Sequence, residues 1–376
     1  MPVYLDYNAS APIDLRVLSK MNEVYTNHYG NADSRTHFYG TTAKEIVEGS
    51  RRTIADILGV DSMDLFFTSG STESNNIAIL GILDYAKKTG KTHFITTSIE
   101  HKSILEAMKY LESQDCTVDY VSPNESGRID PSHVLQLVNE KTLLVSVMHV
   151  NSETGIIQPV DELGEELAQR GVFFHIDATQ SFGKLNSVIR SMKYDMMSIT
   201  AHKIGGPQGI GALVLKRGND YRRPPVKPIM FGGPQERGYR PGTTPVALVA
   251  GFSLAAQLCE NEVDNYYQKC TAIKNSFLNA ISELQHDING DQDYCLPSTI
   301  NISFSGVDAE GVFLAMKDVY AFSNGSACTS NSHIPSYVLT AMGLSEHRVN
   351  EALRISWGPE TNVDFKPLVE YVRSMA

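Results

Sequence analysis

A lysine in the run Thr200-Ala201-His202-Lys203-Ile204-Gly205-Gly206-Pro207 stands where a cofactor aldehyde can be held. Residues 194–199 just before it alternate in hydropathy and read as a short buried strand. Gly205-Gly206-Pro207 then turns the chain. A lysine at a strand end, crowded by an imidazole and turn glycines, suits a Schiff base with pyridoxal 5'-phosphate (PLP) better than a solvated surface charge. Five other windows bear on that reading. Phe67-Thr68-Ser69-Gly70-Ser71-Thr72-Glu73-Ser74 runs from a strand through a glycine into a helix, placing Ser71 and Thr72 where free N–H groups favour a phosphate. Viewed alone, that window is equally a plain helix cap.

The apolar run 172–176 ends abruptly in Asp177. A buried carboxylate needs a cationic partner, and a protonated pyridine nitrogen is one, although a cap for the next helix explains the same residue. Gln180, a short turn on, is placed to donate to a phenolic ring oxygen. His101, in Ser98-Ile99-Glu100-His101, starts a helix after a strand and suits stacking on the ring and proton transfer. Arg354 lies among apolar neighbours in residues 352–357, which fits either a substrate carboxylate or an internal ion pair. Cys328 sits in the small, polar, unpatterned stretch 323–332, read as a mobile loop that exposes a reactive thiol.

Elements must bring these residues together. Between about 40 and 215, strand-like windows (65–68, 93–97, 143–148, 172–176) alternate with helix-like ones. The alternation predicts βαβ units and a mainly parallel sheet flanked by helices. Sites in such sheets gather at the carboxyl ends of the strands, where most of the singled-out residues fall. After about 258 the pattern changes to a long charged helix over 260–285, strands at 299–304 and 352–357, and a helix at 309–317, an α+β cap.

Composition sets the limits. With 376 residues, 42% of them apolar, the chain suits a large domain plus a smaller one. A net charge of −11 argues against a standing grip on nucleic acid. The first ten residues lack a signal-peptide pattern, and the apolar run 246–259 is too short to span a bilayer, so a buried helix and a cytoplasmic setting are expected. The five cysteines, without Cys-x-x-Cys spacing, point to reduced thiols and to neither disulfides nor a metal site.

Together, Thr200-Ala201-His202-Lys203, Asp177-Ala178-Thr179-Gln180, Glu100-His101 and Ser326-Ala327-Cys328 resemble the class I PLP-dependent cysteine desulfurases of the NifS/IscS group. So do Asp6-Tyr7-Asn8-Ala9, Gly30-Asn31 with His37, Arg240-Pro241-Gly242-Thr243 and Leu353-Arg354. The resemblance implies the PLP fold-type-I arrangement: an α/β domain over 14–258, and a smaller α+β domain from 1–13 with 259–376 that carries the cysteine loop. It further implies that Lys203 holds the cofactor, Asp177 pairs with its ring nitrogen, Gln180 contacts the ring oxygen and His101 stacks on the ring. Ser71, Thr72, Thr200 and His202 would hold the phosphate, with Thr243 reaching it from the other subunit of a homodimer. Arg354, with Asn151 and Ser152, would bind L-cysteine through its carboxylate. Cys328 would take the sulfur as a persulfide and pass it to an acceptor protein, for iron–sulfur assembly, tRNA thiolation or DNA phosphorothioation. Where this family commonly has Asn-Asn-Glu, the chain has Asn151-Ser152-Glu153, and it lacks the usual proline after Asn31. The competing expectations are another fold-type-I enzyme, such as a selenocysteine lyase or aminotransferase, or a PLP-bearing scaffold, none of which would need Cys328.

Overall fold

The computed structural model describes residues 1–218, 221–323 and 335–375. A two-residue strand, β1 (Val3–Tyr4), precedes the helices Leu15–Asn27 and Phe38–Leu58. The first is capped by the Asp14 carboxylate, which accepts from the Arg16 N–H at 2.8 Å. The second ends at Gly59, whose φ of 68° is the left-handed conformation that glycine adopts without penalty.

The chain then builds one sheet from β2 (Leu65–Thr68), β3 (His93–Thr97), β4 (Thr117–Val121), β5 (Thr142–Met148), β6 (Phe173–Asp177), β7 (Met196–Thr200) and β8 (Gly211–Leu215). Their order is β2-β8-β7-β6-β5-β3-β4. All neighbours from β7 to β4 are parallel, and β8 alone runs antiparallel to both β7 and β2. Its reversal follows from the chain: ten residues separate Thr200 from Gly211, too few for a crossover helix.

Alternation along the strands fills two cores. Phe66, Met196, Leu213 and Leu215 point to one, packed by the helices Ser71–Leu80 and Lys102–Glu112. Phe67, Met197, Ile199, Ala212 and Val214 point to the other, against Phe38–Leu58 and Val246–Asn261. Helices therefore cover both faces, and the strand ends that carry function open on one edge.

A separate apolar core gathers Phe277, Ile300, Ile302, Leu353, Ile355 and Trp357 from the later part of the chain, and takes in Leu5 from its start. Here β9 (His286–Ile288), β10 (Thr299–Phe304) and β12 (Ala352–Ser356) form an antiparallel sheet, while β1 pairs in parallel with β11 (Tyr320–Ala321). The buried helix expected over 246–259 is Val246–Asn261, and the charged helix expected over 260–285 is the shorter Val263–Ala280. The break falls at Glu262 (φ −111°, ψ 13°), whose carboxylate is held by Arg16 at 2.5 and 3.1 Å. Neither glycine nor proline marks it in the sequence. Among the described residues, no helix is long and apolar enough to cross a membrane.

Candidate active site

Lys203 sits on the turn that leaves β7, and its Nζ donates to the carbonyls of Asn8 and Ala9 at 2.5 and 2.7 Å. The turn must be tight. A Cβ on Gly206 would lie 2.8 Å from the Ala201 carbonyl oxygen, and Gly205 has φ 74°. Burial, with help from the Arg354 and Lys184 charges, pulls the Lys203 amine down to about 7, so it carries a removable proton near neutral pH. Beside it, burial and the same lysine bring His202 down to about 4, leaving a neutral imidazole. Its Nδ1 lies 3.0 Å from Thr200 Oγ1.

Asp177 closes β6, buried, with Oδ1 accepting from the Thr179 N–H at 2.9 Å and Oδ2 from Asn75 Nδ2 at 2.8 Å. The same Asn75 amide donates to Ser103 Oγ at 2.9 Å, and Ser103 Oγ lies 2.8 Å from His101 Nδ1. The Ser103 backbone N–H also donates to that Nδ1, at 3.1 Å. Nδ1 is therefore the acceptor, and the neutral ring carries its proton on Nε2. Desolvation keeps His101 below the ordinary histidine value, with Asp177 opposing. A single polar chain thus runs from Asp177 through Asn75 and Ser103 to His101.

The helix Ser71–Leu80 starts after Gly70, which has no side chain to cap it. Its first-turn N–H groups border a recess of about 300 Å³ lined also by Ser69, His202, Gln208 and Gly209. Glu73 also borders this recess, its carboxylate held by the Ser69 N–H at 2.5 Å and by Arg240 Nε at 3.1 Å.

At the other end, Arg354 projects from β12 with its side chain only 4% exposed. Nη2 donates to Asp6 at 2.7 Å and Nη1 to the Ser152 carbonyl at 3.2 Å, while the buried Nε has no partner among the described residues. Asn8 ties these parts together. Its Nδ2 donates to Ser152 O at 3.0 Å, and its own carbonyl accepts from Gln180 Nε2 at 2.9 Å as well as from Lys203. Glu153 is buried, its Oε1 lacks a partner, and burial pushes its carboxyl up to about 7.

One cavity of about 400 Å³ collects most of the expected residues: Ser71, Thr72, His101, Ser152, Asp177, Gln180, His202, Lys203 and Arg354 line it. Thr200 lies under it through His202. Asn151 does not line the cavity. Its amide is spent on the local turn, Oδ1 accepting from the N–H groups of Glu153 and Thr154 (2.9 and 3.0 Å) and Nδ2 donating to Ile99 O at 3.1 Å. Thr243 is exposed and lines neither recess of this single chain. Cys328 lies outside the described residues. Asn75, Ser103 and Glu153 were given no role from sequence, and neither was Asn8. Asn8, within Asp6-Tyr7-Asn8-Ala9, and Glu153, within Asn151-Ser152-Glu153, carried a signal as parts of motifs.

A mainly parallel sheet with a lysine on the turn after β7, an aspartate closing β6 and an uncapped helix beside them defines a fold-type-I PLP enzyme. The chain matches the family described as aminotransferase class-V over residues 3–364. It is 42% identical over 97% of its length to cysteine desulfurase IscS of Rickettsia typhi, covering 89% of that protein. It is 40% identical over 99% of its length to the IscS of Cronobacter sakazakii, covering 92% of that protein. Among solved structures it resembles DndA from Streptomyces lividans (42% identity, TM-score 0.83, 93% of this chain and 98% of that one). A NifS-like protein is also similar (31% identity, TM-score 0.89, 100% and 98%). The chain belongs to the class-V aminotransferase family and is a PLP-dependent cysteine desulfurase.

Proposed function

We propose that this cysteine desulfurase carries the sulfur of L-cysteine on Cys328, with Lys203 as both cofactor lysine and proton carrier. The observation that supports it most is the shared cavity, in which a lysine with a pKa near 7 meets Asp177, Gln180, His101 and Arg354. These residues fit PLP. The uncapped N–H groups at Ser71 and the neutral His202 suit its phosphate, and Asp177 suits its ring nitrogen. When bound, PLP supplies an electron sink for charge developing at the substrate Cα. Arg354, which lines the cavity, offers its guanidinium to the substrate carboxylate and fixes the amino acid at one end. Lys203 Nζ, unprotonated above about pH 7, takes the α-proton. His101, its proton on Nε2, stacks on the ring and moves protons above it.

The Cys328 thiolate then attacks the substrate Sγ. An S–S bond forms, the Cβ–Sγ bond breaks, and its electron pair stays on Cβ, where protonation completes alanine. The net change is cysteine plus enzyme thiol giving alanine plus enzyme persulfide. The persulfide passes to an acceptor protein, a handover better suited than nucleic-acid binding to a chain of net charge −11. The unpaired cysteines 116, 259, 270 and 295 suit a reducing cytoplasm.

The working form is a homodimer in this reading. Tyr29, Phe38, Tyr39 and Phe231 are large apolar side chains left exposed, and Tyr29 stacks on Tyr39. Gln235 links this region to Thr243, bonding Asp33 at 2.9 Å and the Gly242 N–H at 3.0 Å. A second copy covering that surface would receive Thr243 at its own phosphate recess. The deciding experiment is Cys328→Ser in PLP-loaded enzyme, with alanine assayed. Alanine formation should fall by at least 100-fold with cofactor content unchanged, and a wild-type rate would overturn the role of Cys328.

A further inference from the structure

A second cavity, of about 590 Å³, shares Asn8 and Lys203 with the active cavity but otherwise has its own walls. It lies between the start of the chain, the residues after Gln180 and the helices around Glu262, with exposed Leu15, Asn265 and Glu360 at its rim. Ile13, Leu258 and the buried Trp357 make much of its lining apolar. Its acids are already committed. Asp14 and Glu262 pair with Arg16 at 2.7 and 2.5 Å, and Glu360 pairs with Lys269 at 2.5 Å.

Lys184 is not so provided. Its ammonium reaches Gln180 Oε1 at 3.4 Å, a long contact to a neutral amide. No Asp or Glu figures among the charges that act on it, and enclosure by protein drags it down to about 8. A half-buried cation with no carboxylate beside it among the described residues, set in the wall of a largely apolar chamber, is built like a ligand site.

We propose that this second cavity binds a small anion with an apolar body, such as an aliphatic carboxylate, through Lys184. The carboxylate accepts from Lys184 Nζ while the hydrocarbon lies against Leu258 and Trp357. Occupancy reaches the active site by charge. Lys184 is one of the cations that hold down the proton affinity of Lys203, and an anion beside it offsets that effect.

Trp357 is the only tryptophan of the chain and lines this cavity, so it reports binding directly. The probe is 8-anilinonaphthalene-1-sulfonate titrated into PLP-loaded enzyme, read as quenching of Trp357 emission. Saturable one-to-one quenching, displaced by hexanoate, is expected. Lys184→Met should weaken it at least tenfold, and Lys184→Arg should stay within threefold of wild type. Quenching that never saturates, or an affinity unchanged in Lys184→Met, overturns the site. Saturable quenching that hexanoate fails to displace overturns the carboxylate class. None of these outcomes depends on Cys328 or on turnover, so failure here leaves the desulfurase reading untouched.

Discussion

Replacing Glu100 by glutamine should destabilise the protein in acid and stabilise it in alkali. Glu100 is fully buried, one residue before His101. Its Oε1 accepts from Thr97 Oγ1 at 2.7 Å and from the Met148 N–H at 2.9 Å, while Oε2 has no partner. Burial, with the Asp177 charge adding to it, pushes the carboxyl from its usual 4.5 up to about 8. Between those values the folded protein keeps a proton that the unfolded chain has released. Stability therefore falls as pH rises through this window, by up to about 1.4 kcal/mol per pH unit, and levels off above about 8. The ceiling over the whole window is about 5 kcal/mol, and relaxation or water entry brings the working range to about 2–5 kcal/mol.

Glutamine is neutral throughout, but its amide N–H groups take the place of Oε2, where no acceptor waits. That costs about 1–3 kcal/mol at every pH. Glu100→Gln should thus be less stable by about 1–3 kcal/mol at pH 5, and more stable by a similar amount at pH 8.5. Urea midpoints read from Trp357 fluorescence at pH 5, 7 and 8.5 give the comparison, since other titrating groups move both proteins alike. Two midpoint curves that stay parallel would show that Glu100 carries no proton at neutral pH. The link to function is short, because Tyr337 in the active cavity donates to the Glu100 carbonyl at 2.7 Å.

Two further substitutions probe the cavity itself. Arg354→Lys keeps the charge at the cavity wall but loses the guanidinium fork. A charge-assisted hydrogen bond of about 1.5–3 kcal/mol corresponds to a KM for cysteine raised about 10- to 100-fold with kcat little changed. Initial rates of alanine formation against cysteine concentration check this, and an unchanged KM removes Arg354 from substrate binding. Ser103→Ala takes away the hydroxyl 2.8 Å from His101 Nδ1. A bond to the neutral ring is lost, so His101 should become more basic: the acid limb of the pH–kcat profile moves up and kcat falls about fivefold. Identical profiles would reduce Ser103 to a packing residue.

What was legible from sequence follows from how each residue acts. Asp177, His101 and Lys203 are polar side chains that interrupt or follow apolar strands, and the interruption is itself the signal. Asn75 gives none, because a polar residue in the helix Ser71–Leu80 looks like any other until the helix Lys102–Glu112 and β6 close around it. Gly211–Leu215 is an apolar run that would suit a strand of either direction, so only the short connection from Thr200 betrays that it runs antiparallel. Asn151 is the opposite case: its type suits a ligand, but its Oδ1 holds the turn it begins and its Nδ2 donates to Ile99 O. Asn8 is hardest to read, since it works largely through its main-chain carbonyl, which every residue possesses. Lys203 and Gln180 both donate to that carbonyl across 195 and 172 residues of chain. The segment that offers it is anchored by Leu5 in the later core, by β1 pairing with β11, and by Arg354 on Asp6. Lys203 is therefore held in place only once the first residues have docked on the last strands. A site that looks local in the motif around Lys203 depends on the longest-range contacts of the fold.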